Sequence, residues 1–396
     1  MAVFQRSVQQ VVTHEITLNR GSEGAVRLHT CLVVDFDALE AAGIADARAR
    51  AGLIEYLDGL GFTADEMVEA EKRGRLFGLA GDTLQRSGPP TYSLRTAADA
   101  LGLPLEDVTH FWSVLGLTVG DPDHRTLSEA DIEALGTCAA MRDGLGEDAA
   151  AGLLRVVGAA MARLAEAESS VVRTGQPNLW ITHSHDELTT ARAYRAVAQL
   201  IPRIGAMIDA VHRHHLSGAR TYFEGVQPDP SATVVCGVGF ADLSGFTALT
   251  QLLTPAELSM LLSEFSATVT DVVQTDGGRV VKFIGDAVMW VSATPQLLAQ
   301  AAADLIDHPR ARETGLGVRA GLAFGTMLAI NGDYFGSPVN LSARLVAAAR
   351  PGQILADAGL RDELPDWPAV EQEPLTLKGF HAPVLAYDLQ RTPPTA

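Results

Sequence analysis

From about Asp35 to Gly218, apolar residues recur every three or four positions, and the stretch reads as almost wholly helical. "ADARARAGLIEYLDGLG" has helical spacing and stops on Gly61. "SLRTAADALGLPLEDVTHFWSVLGL" predicts two short helices joined by a glycine-containing turn, and "TLSEADIEALGTCAAM" opens with a Ser/Thr cap and acids in its first turn. In "HDELTTARAYRAVAQLIPRIGAMIDAVHRHHLSGAR" the positions Val197, Ile201, Ile204, Ile208 and Val211 are spaced four, three, four and three, a two-heptad seam of the kind by which helices pair. Pro202 predicts either a kink in this helix or a break between two. The first 30 or so residues show no clear period.

After the Pro-rich "GVQPDPSA" the pattern changes, and this is the best domain boundary. "ATVVCGVGFADL" is a buried β-run. "TPAELSMLLSEFSATVTDVVQ" is a helix capped by Thr254, with Pro255 in its first turn and Glu257 closing a capping box. "RVVKFIGDAVMWV" predicts a hairpin turning at Gly285-Asp286. A helix from Pro295 to Asp307, a strand in "LGVRAGLAFGTMLAI", a helix near "SPVNLSARLVAAA" and short strands complete the chain. Strands with intervening helices indicate an α+β sandwich. The expected division is a helical domain over 1–186, a connecting helix and linker over 187–225, and an α+β domain over 226–396.

Composition narrows the function classes. At 47% hydrophobic and 20% charged, the 396 residues form globular domains with substantial cores. A formal net charge of -18 opposes binding to nucleic acid and to anionic membranes, and it requires any anionic substrate to meet a locally positive site. Cys31, Cys138 and Cys236 are widely spaced, with no zinc or disulfide framework. The N-terminus lacks a signal-peptide apolar region, and the longest apolar helix is too short to span a bilayer. These features point to a cytoplasmic protein without membrane insertion.

Asp242 ends the buried β-run and precedes the small-residue loop "LSGFT" that enters a helix, an arrangement suited to a metal and a phosphate. Asp286 lies at the predicted hairpin tip. If those strands are neighbours, the two carboxylates converge at one sheet end and can share two Mg2+ ions, the arrangement used for in-line phosphoryl chemistry. Lys282 is one of only three lysines, with Lys72 and Lys378, and it lies inside an apolar strand.

"FADLSGFT", "KFIGDAVM", "GDYFGSPVNLSAR" and "LKGF", in this order and spacing, resemble the catalytic domain of class III nucleotide cyclases over about Ala232 to Gln390. The resemblance implies a ferredoxin-like α/β sandwich that works as a homodimer, with two active sites across the interface, each drawing on both chains. It implies two divalent ions per site, Mg2+ or Mn2+, on Asp242 and Asp286. Asn340 and Arg344 match the residues that orient the ribose and stabilise the transition state. Lys282 and Asp333 match the purine readers, and Lys378 resembles a lysine that contacts the triphosphate. Ser342 departs from the alanine common at its position.

Adenine offers an acceptor at N1 and a donor at its exocyclic amine, so an ammonium and a carboxylate complement it. Guanine reverses both, at ~1–3 kcal/mol for each buried group left unpaired. The expected activity is therefore adenylate cyclase, converting ATP to 3',5'-cyclic AMP and pyrophosphate. Guanylate cyclase and an inactive nucleotide-binding sensor are the alternatives.

The N-terminal half resembles the helical regulatory domain that precedes some mycobacterial cyclases of this class, an autoinhibitory module whose effect depends on pH. His212, His214 and His215 cluster near the end of the connecting helix. Continuing the seam past Val211 places His215 at the next core position, facing its own copy in a parallel dimer, where imidazole protonation near pH ~6.5 would set two cations together. Three solvated histidines at a helix C-terminus are the simpler reading. The Ala- and Gly-rich stretch from Ala149 to Ala167 suits either a small lipid ligand or a plain small-residue core. The paired helices after Ser93 also resemble a helix-turn-helix, but Arg95 is the only basic residue between Tyr92 and Leu117, against three acids, and a recognition helix needs cations.

Overall fold

A computed structural model of the chain describes residues 34–175, 185–224, 233–309 and 317–390. The expected irregular N-terminus and the Pro-rich linker lie outside them. The chain divides into two compact units, Met1–Arg213 and His214–Ala396.

In the first unit, α1 (Phe36–Ala42), α2 (Ala51–Gly59), α3 (Ala64–Lys72) and α4 (Leu79–Asp82) pack with α9 (Glu187–Ala198) around Leu39, Ile44, Ile54, Leu57, Met67 and Ala191. The predicted helix after Ala45 starts later, at Ala51. Asp46 adopts a left-handed φ of 50°, which interrupts a helix, and Arg50 turns inward between two acids. Its guanidinium meets Glu71 at 2.7 Å and Glu187 at 2.6 Å, which ties α9 to the bundle.

A second cluster joins α5 (Leu94–Leu101), α6 (Leu105–Val114), α7 (Glu129–Leu145) and α8 (Glu147–Gly175) around Leu94, Val108, Phe111, Leu135 and Leu154. Capping boxes at Ser93 and Ser128 start α5 and α7. Ala150, Ala151 and Leu154 of α8 are buried. The helix pair α5–α6 is present, and Arg95 is held by Asp123 at 2.6 Å.

Pro202 marks a break rather than a kink: α9 stops at Ala198, and α10 (Ile201–Glu224) begins with the proline in its first turn, where a missing N–H is tolerated. Val197 therefore belongs to the preceding helix. On α10 the seam runs from Ile201, with Ile204 and Ile208 half-buried and Val211 exposed. No helix among the described residues is long and apolar enough to cross a membrane.

The second unit is an α+β sandwich. β1 (Thr233–Leu243) is followed by α11 (Phe246–Thr250), α12 (Pro255–Thr275), the hairpin β2 (Gly278–Ile284) and β3 (Ala287–Ser292), α13 (Pro295–Asp307) and β4 (Val318–Ile330). Thr254 and Glu257 close the expected capping box on α12. These strands lie in the order β2-β3-β1-β4, antiparallel at each pairing, which is the ferredoxin-like arrangement. β5 (Asp333–Phe335) folds back on β4, α14 (Ser337–Ala348) returns the chain to β6 (Ile354–Asp357), and α15 (Ala358–Asp362), β7 (Ala369–Glu371) and β8 (Ala386–Leu389) extend the sheet.

Alternation along β1 divides the core. Ala241 and Leu243 join Phe265, Val269 and Leu298 of α12 and α13, while Val238 and Phe240 join Met289, Met327 and Val346 on the face covered by α14.

Candidate active site

β1 delivers Asp242 to one end of the sheet. Its register partners are Ala287 on β3, which follows Asp286 directly, and Arg319 on β4. The carboxylates of Asp242 and Asp286 therefore come to the same sheet end, as expected. The β2–β3 turn works because Gly285 takes a left-handed φ of 63°, open to glycine at no steric cost.

Arg319 is the member of this cluster that sequence reasoning missed. Its Nε donates to Asp242 Oδ1 at 2.6 Å and its Nη2 to Oδ2 at 2.9 Å, a two-pronged clamp. Its Nη1 reaches the carbonyls of Ala347 and Ala349 at 3.2 and 3.1 Å, linking the acid to the C-terminal end of α14. The arginine within the predicted strand "LGVRAGLAFGTMLAI" was the available signal. It needed the register to be read.

Partial burial pushes the Asp286 carboxyl above the ordinary range; the negative charge of Asp242 adds to the push and Arg319 opposes it. Two acids that feel each other at a half-buried sheet end suit a divalent cation, which turns their repulsion into shared attraction. Among the described residues no group of three or more His, Cys, Asp or Glu could hold a metal ion. This donor set fits Mg2+ or Mn2+ that takes one or two carboxylates from protein and the rest of its ligands from nucleotide phosphates and water.

A second group forms between β2 and β5. Lys282 Nζ donates to Asp333 Oδ2, and Asp333 Oδ1 accepts from the Tyr334 amide at 2.8 Å. A register shift between Val280 and Lys282 explains how a lysine within an apolar strand gains this partner, because a bulge re-aims side chains. Arg279, also on β2, stacks 5.7 Å from the Tyr334 ring centre and donates to its hydroxyl, a second brace between β2 and β5.

Asn340 and Arg344 sit one turn apart on α14, both exposed, and Lys378 is exposed in the loop before β8. None of the three side chains makes a hydrogen bond or ion pair with another described residue. The sequence-predicted residues thus resolve into an acid pair with Arg319, a Lys282–Asp333 pair, and three exposed side chains without side-chain partners among the described residues. His212, His214 and His215 lie exposed on α10.

The adenylate cyclase regulatory domain family matches residues 35–219, and the adenylate and guanylate cyclase catalytic domain family matches residues 229–387. A Mycobacterium tuberculosis protein without an assigned activity is 69% identical over 91% of this chain and 95% of its own length. A pH-sensitive adenylate cyclase of Mycobacterium tuberculosis is 30% identical over 87% of this chain and 89% of its own, and an adenylate cyclase of Streptomyces coelicolor is 32% identical over 69% and 71%. Among solved structures, the adenylyl cyclase CyaB of P. aeruginosa matches with 25% identity and a TM-score of 0.38, covering 41% of this chain and 97% of that one. The chain belongs to the class III adenylate cyclase family, with an adenylate cyclase regulatory domain ahead of a nucleotide cyclase catalytic domain.

Proposed function

We propose that the protein is a homodimeric adenylate cyclase that converts ATP to 3',5'-cyclic AMP and pyrophosphate. The observation that carries the choice of ATP is the Lys282–Asp333 pair, a donor and an acceptor fixed side by side. Lys282 donates to adenine N1 and Asp333 accepts from the exocyclic amine. Asn340 orients the ribose, and Lys378 meets the triphosphate. The 3'-oxygen attacks the α-phosphorus in line and pyrophosphate leaves. Arg344 lies near the α-phosphate and offsets the charge that develops there. Divalent metal held by Asp242 and Asp286 would ease loss of the 3'-hydroxyl proton and neutralise charge on the departing pyrophosphate. Arg319 holds the Asp242 carboxylate oriented.

Homodimerisation is supported by what one chain leaves open. Phe283, Ile284, Ile330 and Phe335, neighbours in sequence of the purine-reading pair, are large apolar side chains exposed to solvent. Asn340, Arg344 and Lys378 await groups from elsewhere. Each active site is completed when the acid pair of one chain faces these residues of the other.

Reversing the polarity of the purine readers tests the substrate assignment. The double variant Lys282→Glu, Asp333→Ser presents an acceptor and a donor where guanine needs them. Its ATP-over-GTP preference, as a ratio of kcat/KM values, should fall by about 10²-fold or more. An unchanged ratio would remove this pair from purine selection.

We place helical residues 1–186 as an autoinhibitory domain, 187–225 as the connection, with α9 anchored to the helical side, and 226–396 as the catalytic domain of a cytoplasmic enzyme. The likeness to a pH-sensitive relative and the exposed histidines of α10 support a pH response through this connection. In a parallel α10 pair, His215 follows the Ile201–Val211 seam, and its protonation sets like charges together. Full-length wild type should show an activity step between pH 5.5 and 8 that depends on the histidines of this connection. His215→Gln should flatten that step. An identical pH profile in the variant would eliminate the switch.

A further inference from the structure

The helix that carries Asn340 and Arg344 rests on the sheet with almost nothing between the two backbones. A Cβ added to Gly321 of β4 would fall 2.2 Å from the Val346 nitrogen and 2.5 Å from the Ser342 carbonyl oxygen. Only glycine permits this approach. At the point of closest contact lies Ser342, fully buried. Its hydroxyl donates to the Gly321 carbonyl at 2.6 Å, with the Val238 carbonyl of the neighbouring strand at 3.2 Å as the weaker arm. A buried hydroxyl aimed at two adjacent strands fixes both the depth of a helix and its rotation about its axis.

Ser342 is two residues after Asn340 and two before Arg344. At 3.6 residues per turn, a two-residue step is about 200°, so the residues flanking an inward-facing position at that spacing point outward. The burial pattern agrees: Ser342, Leu345 and Val346 are buried, while Asn340 and Arg344 are exposed. Leu345 and Val346 supply apolar contact, which resists lifting of the helix but constrains its rotation weakly. The directional bond from Ser342 constrains rotation, and rotation is the motion that would swing Asn340 and Arg344 away from a bound ribose and α-phosphate.

We propose that Ser342 is a positioning residue for cyclisation, acting through Asn340 and Arg344. This rests on the adenylate cyclase reading given above. Misplacement of reacting groups by about 1 Å can cost about 10²-fold in rate, so a partial loss of rotational control should be readily measured. The purine readers lie on β2 and β5, outside this contact, so nucleotide affinity should be largely spared.

The test uses the full chain with ATP and Mg2+. Ser342→Ala, which leaves no clash, should lower kcat about tenfold while KM changes by less than about twofold. Thermal melting establishes that the variant is folded. The same substitution in an Asn340→Ala, Arg344→Ala background should lower the residual kcat by less than about twofold, because both groups it positions are already gone. Wild-type kcat in Ser342→Ala would overturn the proposal. So would an equal loss in both backgrounds, which is the signature of a merely structural role. If wild type itself forms no cyclic AMP, the adenylate cyclase reading fails and this inference falls with it.

Discussion

Asp286→Asn should abolish all but about 10⁻³ of the cyclic AMP formation of the wild type, because several kcal/mol of transition-state stabilisation depend on a charged carboxylate at this turn. Asparagine keeps the shape and suits the hairpin tip, so the melting temperature should hardly change. The substitution thus separates chemistry from folding. The partner acid is a less clean target. Asp242 holds both prongs of Arg319, and Asp242→Asn leaves that half-buried guanidinium with a neutral partner. Its loss of activity would combine both effects. Because partial burial and the charge of Asp242 raise the Asp286 carboxyl, its protonation on acidification begins above the ordinary carboxylate range. Raising the metal concentration should not restore Asp286→Asn if the carboxylate is required, and full recovery at high Mg2+ or Mn2+ would show that it contributes affinity alone.

Arg344→Ala should lower kcat by about 10³-fold or more with little change in KM, the pattern of a group that acts chiefly in the transition state. Arg344 is exposed and has no partner among the described residues, so its removal leaves no buried charge and should leave the melting temperature within about a degree or two. Arg344→Lys should recover only part of the loss, since an ammonium lacks the planar fork that spans two phosphate oxygens. A variant with raised KM and normal kcat would place Arg344 in ground-state binding and remove it from the chemical step.

Much of this arrangement was legible in the chain, for identifiable reasons. The Gly285-Asp286 turn and the Thr254–Glu257 capping box are local, so a few residues determine each. The ferredoxin-like sandwich was implied by the resemblance that the four motifs carry, not by any local pattern. The two carboxylates could be brought together once β1 and β3 were neighbours. What escaped depends on long-range register. Arg319 meets Asp242 only because their strands pair with those residues opposite, and nothing local to either marks the contact. The bulge before Lys282 and the stacking of Arg279 on Tyr334 are likewise features of pairing. In the helical half, periodicity found the helices and misplaced a boundary at Asp46, whose backbone is left-handed, and it gave no sign of the distant pair of acids that hold Arg50. Pro202 announced an interruption, and its position in the first turn of α10 determined which kind.

The central claim is that each active site is built from two chains, acids from one and Arg344 from the other. Mixing the Asp286→Asn protein with the Arg344→Ala protein, under conditions that allow subunit exchange, tests it directly. Each variant alone should be nearly inactive. In an equal mixture about half the dimers are heterodimers with one intact site of two, so activity should recover to about a quarter of wild type. Activity no higher than the sum of the separate variants, with heterodimers demonstrably formed, would contradict the account.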